Sequence, residues 1–133
     1  MSELAPYDVI FTRRGVIRKY RPQDGVSLTV SGGATPSDTS LPVNVGDAAS
    51  IALSTYHKHA ESLSTNLETT VITGESRIDD FDTESYGAMA LGANKKKTFP
   101  ISPGPNYIKV KVENKDAANA TKVTTILTVF SKN

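Results

Sequence analysis

The chain has 133 residues, no cysteine, no tryptophan, a formal net charge of +1 and an isoelectric point near 7.9. That length suits one domain with a core of ordinary size, and the missing cysteines exclude a disulfide framework, a thiolate zinc site and a thiol nucleophile. The even charge balance gives no electrostatic footprint for nucleic acid, residues 1–8 contain no apolar core of a secretory signal, and no run approaches the roughly eighteen apolar residues of a membrane helix.

Thr, Val and Ile are frequent, and these side chains lose χ1 freedom in helices but pack well on a pleated sheet. In chain order, Tyr7 to Thr12 reads as a first strand and Gly15 to Tyr20 as its neighbour, either a hairpin turning at Arg13, Arg14 and Gly15 or one long bulged strand broken at Gly15. Arg21 to Gly25 has turn chemistry, with Pro22, Asp24 and Gly25. Val26, Leu28 and Val30 then alternate with Ser27 and Thr29, the period of a half-buried strand. Ser31 to Ser40 is rich in Gly, Ser, Thr, Asp and Pro and reads as a loop.

Leu41 to Val45 reads as a short strand that Pro42 confines to a sheet edge. Ala49 to Tyr56 and Leu67 to Thr73 read as strands, with an ambiguous stretch from His57 to Asn66 between them. Gly74 to Met89 reads as a long irregular crossing, and Lys95, Lys96 and Lys97 as a solvated turn. Ser102 to Asn106 contains two prolines around a glycine, a strong turn signal. After it Ile108, Val110 and Val112 alternate with Lys109, Lys111 and Glu113, which places the three apolar residues on a core face. Asn114 to Ala120 is a polar loop, and Lys122 to Phe130 is a final strand with apolar residues on both faces. No repeat and no linker divides the chain. The pattern predicts an all-β fold: a single antiparallel β-sandwich of about seven to nine strands over residues 1–133.

The stretch from Pro103 to Asn114, with Ala120, Thr121 and the last strand, resembles the final hairpin of immunoglobulin-like and C2-like sandwich modules. There a Tyr opens the penultimate strand after a Gly-containing turn, and Tyr107 holds that place three residues after Gly104. In length, neutrality and Thr content the whole chain resembles small prophage-encoded sandwich proteins of the XepA and YomS kind, or phage domains that decorate heads and tails. That resemblance implies a C2-like jelly roll, a homo-oligomer with a ring as one form, other virion proteins as partners, and a location in the virion or the bacterial host cytoplasm.

Two clusters are candidates for chemistry. His57 and His59 would share one face of a strand, with Glu61 continuing it, so two imidazoles could reach one metal. Two histidines without a third ligand do not close a zinc site, and the pair reads as two exposed polar residues. Asp79, Asp80, Asp82 and Glu84 form an acidic run of the kind calcium uses, but the glycine of a calcium-binding helix–loop–helix is absent, and the run reads as a solvated loop. Arg13, Arg14, Arg18, Lys19 and Arg21 form a basic zone with little aromatic interleaving. There is no nucleophile elbow, phosphate loop or dinucleotide fingerprint. The expectation is a protein without catalysis, cofactor, metal, nucleic-acid or membrane partner: a structural component acting as a homo-oligomer. The rival expectation is a module for a cell-surface glycan, which would need two or three exposed aromatics among Tyr7, Tyr20, Tyr56, Tyr86 and Tyr107.

Overall fold

The structure, a computed structural model, describes residues 3–29, 35–57, 64, 66–75, 96–116 and 118–132, and the backbone of 85–90. These residues form ten strands: β1 (Asp8–Phe11), β2 (Gly15–Leu28), β3 (Ser37–Thr39), β4 (Val43–Asn44), β5 (Ser50–Tyr56), β6 (Leu67–Gly74), β7 (Ser85–Ala90), β8 (Lys96–Ile101), β9 (Tyr107–Asn114) and β10 (Thr121–Lys132). The first sheet runs β1-β2-β10-β5-β8, and the second runs β3-β9-β6-β7 with β4 also on β9. All the pairings are antiparallel. β3 and β4 pair with different stretches of β9, one after the other, so they are two pieces of one interrupted edge. The architecture is therefore an all-β sandwich of nine strand positions, one of them broken.

Each strand contributes one face to the space between the sheets. On β9 Ile108, Val110 and Val112 are fully buried and Lys109, Lys111 and Glu113 lie on the other face, as the alternation dictates. On β10 Val123, Leu127 and Val129 do the same. The largest apolar cluster joins Ile108, Val110, Leu127 and Val129 to Tyr20, Val43, Val45, Ile51, Leu53, Val71 and Ile101. A smaller one holds Leu28, Leu67, Val112 and Val123 at the other end.

Four readings of the sequence are corrected. Arg21 to Gly25 is not a turn but the middle of β2, which runs unbroken to Leu28. Against β10 the register slips by one residue on each side of Gln23, so β2 carries two successive bulges. There the Gln23 and Gly25 amides donate to the hydroxyls of Thr125 and Thr124, at 3.0 and 2.9 Å. Side-chain oxygens stand in where the bulges break the ladder, and Gly25 takes a positive φ of 63°. Inside Ser31 to Ser40, residues 37–39 form β3, short enough that pairing with β9 outweighs their turn-prone composition. At the end of Gly74 to Met89, β7 pairs with β6. Lys96 and Lys97 are not a turn: they open β8 opposite Tyr56 and Thr55, with their charges kept at a solvated edge. The other described strands and turns fall where the sequence places them.

Candidate interaction surface and buried polar layer

Between the two apolar clusters lies a layer of neutral polar side chains. Gln23, Thr125 and Thr55 stand side by side across β2, β10 and β5, and Thr69 faces them from β6. The Thr125 hydroxyl donates to Gln23 Oε1 at 2.6 Å, and Gln23 Nε2 donates across the sandwich to the Val110 carbonyl at 2.7 Å. The Thr55 and Thr69 hydroxyls meet at 3.3 Å. Further along, Asn114 accepts from the Ser64 hydroxyl at 2.7 Å and donates to the carbonyls of Leu28 and Asn119. Among the described residues no fully buried side-chain nitrogen or oxygen lacks a partner. The layer's hydrogen bonds thus close on the protein itself, which ties the sheets together and fixes their relative register.

His57 belongs to this interior. It is 1% exposed, with Nδ1 3.4 Å from the Thr121 hydroxyl. The expectation of an exposed histidine is therefore wrong at this position. The alternation of β5 carries past Tyr56 and turns residue 57 inward after Ile51, Leu53 and Thr55. His59, Glu61, Asp79, Asp80, Asp82 and Glu84 lie outside the described residues. Among the described residues no three His, Asp or Glu side chains gather as a metal site would require. None of their helices is long and apolar enough to cross a membrane.

Among the described residues two titrations are displaced. Burial raises the Tyr20 phenol above its ordinary value, with the Arg18 guanidinium acting against it. The hydrogen bond to Glu68 raises the Lys115 ammonium, the two meeting at 3.1 Å on the surface.

Among the described residues, four of the five large exposed apolar side chains lie together. Tyr7, Val9, Ile10 and Phe11 are all exposed, Phe11 at 79%, on and just before β1. Leu41 is exposed beside Pro42, whose carbonyl accepts from the Leu4 amide at 2.8 Å and so ties the N-terminal segment to the second sheet's edge. Among the described residues β1 ends the first sheet and pairs with β2 alone, with Ile10 opposite Ile17 and Phe11 opposite Val16. Thr12 sets the hairpin turn: its amide donates to the Gly15 carbonyl, and its hydroxyl accepts from the Arg14 and Gly15 amides. Gly15 is required there by close approach, since a Cβ would stand 2.0 Å from the Ser131 carbonyl oxygen. The basic zone is partly committed: Arg18 pairs with Asp47, and Arg21 lies 4.0 Å over the Tyr7 ring. By sequence Val9-Ile10-Phe11 belongs to an ordinary strand. The available signal was three consecutive apolar residues, which no strand with one solvated face should carry.

These features define a two-sheet β-sandwich with an internally satisfied polar layer and one apolar edge. No family model matches the chain, and no curated protein does. Among solved structures, the chain is similar to VP2 of infectious bursal disease virus in its subviral particle, at 15% identity and a TM-score of 0.51, over 99% of this chain and 37% of that one. A second likeness, to a chain of the infectious bursal disease virus Gx strain, has 14% identity and a TM-score of 0.46, over 97% and 37% of the two chains. A third, to the Bacillus endospore appendages described as disulfide-linked pili, has 8% identity and a TM-score of 0.45, over 100% and 98%. The chain thus spans little more than a third of the VP2 chain it matches, and the likeness to VP2 shows the sandwich fold alone.

Proposed function

We propose that this protein is a non-enzymatic assembly component, a structural part of a virion or comparable particle, and that it works as a homo-oligomer. The observation that carries the reading is the apolar edge Tyr7–Phe11. Soluble sandwiches blunt or cover such edges unless a partner uses them. The likeness of the fold to VP2 in a subviral particle supports the same reading. So does the interior, whose polar groups are spent on joining the two sheets.

The glycan-module alternative needs two or three open aromatic rings, and among the described side chains Phe11 is the one strongly exposed ring with no cation over it. Cations lie over the rings of Tyr7, Tyr56 and Phe99 at 4.0, 5.1 and 5.7 Å, and Tyr20 is buried. Light scattering on the purified chain tests the proposal. The expected result is a discrete multiple of the 14.2 kDa chain mass that persists on dilution through the micromolar range. A mass of one chain at every concentration would contradict it.

A further inference from the structure

We propose that β1 is a self-pairing edge: two copies of the chain join β1 to β1 antiparallel about a twofold axis at Ile10, merging their first sheets into one continuous sheet. The inference rests on the homo-oligomer reading and names the surface that makes it.

The backbone sets the register. In an antiparallel ladder, residues that exchange hydrogen bonds alternate with residues that do not. Thr12 bonds to Gly15, and β1 pairs with β2 residue for residue back to Asp8 opposite Lys19. The amides of Ile10 and Thr12 therefore point into the sheet, and those of Val9 and Phe11 point away from it. A second copy can use these outward groups in matched pairs only if Val9 of each chain faces Phe11 of the other. That arrangement places Ile10 opposite Ile10 as a non-hydrogen-bonded pair on the axis.

The side chains agree with this register. On one face Val9 meets Phe11 of the second copy twice, which covers the most exposed aromatic ring of the hairpin. On the other face Ile10, Ile17 and Phe130 are cross-strand neighbours in one row. Pairing at Ile10 extends that row through six apolar residues across the two copies.

Charge selects the antiparallel sense. Asp8 begins the strand, and Arg13 and Arg14 lie at the turn that follows it. Antiparallel pairing sets each turn's arginines beside the other copy's Asp8, with the two turns at opposite ends. Parallel pairing would stack arginine on arginine. Two of the other edges are built against pairing: β8 carries Lys96, Lys97 and Pro100, and β3 and β4 are short, interrupted and preceded at β4 by Pro42. β1 has neither lysine nor proline.

The chain has no cysteine, so an introduced thiol has only its own copy to meet. Non-hydrogen-bonded antiparallel pairs bring Cα atoms to about 4.5 Å, within the range a disulfide spans. Under mild oxidation, Ile10→Cys should form a covalent dimer many times faster than Ser27→Cys, which is exposed at the far end of β2. Phe11→Lys should reduce the mass measured by light scattering while leaving the melting temperature of the folded chain near that of the parent, because the ring is mostly solvated in the single chain. An oligomer that keeps its mass in Phe11→Lys, with Ile10→Cys no faster than Ser27→Cys, would overturn this edge and leave the homo-oligomer reading standing. Loss of mass in Phe11→Lys without the Ile10→Cys dimer would overturn the symmetric pairing and indicate that β1 meets a different edge of its neighbour. A parent chain that is monomeric throughout would overturn both.

Discussion

Thr125 shows how much of this fold rests on single hydroxyl groups. It is fully buried, it accepts from the Gln23 amide at 3.0 Å, and it donates to the Gln23 side chain at 2.6 Å. Valine has nearly the same shape but no oxygen, so Thr125→Val would leave the Gln23 amide and Oε1 buried without partners. The expected loss is about 1–3 kcal/mol of unfolding free energy, measured by urea denaturation with an unchanged m-value. A neutral result would mean that the polar layer is not what couples the sheets. None of this layer was legible in the sequence. Thr and Gln are ordinary surface residues, and no local pattern distinguishes Thr125 from Thr124 or Thr128 on the same strand. His57 was misplaced for the same reason: its neighbours Lys58 and His59 are polar, and only the period of β5 argued for the interior.

Elements were legible where one period ran unbroken. β5 and β9 alternate cleanly, and the turn at 102–106 fixes the start of β9. β2 was not legible as one strand, because its two bulges space the buried residues Tyr20 and Gln23 three apart and place Pro22, Asp24 and Gly25 between neighbours in the sheet. Turn chemistry and bulge chemistry use the same residues, and a single sequence does not separate them. Where the period does hold, it assigns faces. Val110→Asp puts a carboxylate into the centre of the larger core and should prevent folding or cost more than about 4 kcal/mol. Lys109→Asp, one residue away on the outer face, should cost no more than about 1 kcal/mol. Thermal melts followed by circular dichroism measure both, and equal losses would show that the faces of β9 are wrongly assigned.

At the scale of the whole molecule, the sandwich divides its labour. The space between the sheets holds two apolar clusters and the polar layer that joins them, all closed on the chain itself. The described surface carries four of its five large exposed apolar side chains at one corner, the N-terminal hairpin. The sequence made the sandwich class legible and left its working surface obscure, since an apolar strand reads alike whether its partner is in the same chain or another. The claim that this corner is an assembly surface is tested most directly by amide hydrogen exchange at Val9 and Phe11 as a function of protein concentration. In the single chain both amides point to solvent and exchange rapidly. Assembly through β1 predicts that they become protected as concentration rises, while the β9 amides stay slow throughout. Rapid exchange at Val9 and Phe11 at every concentration would contradict it.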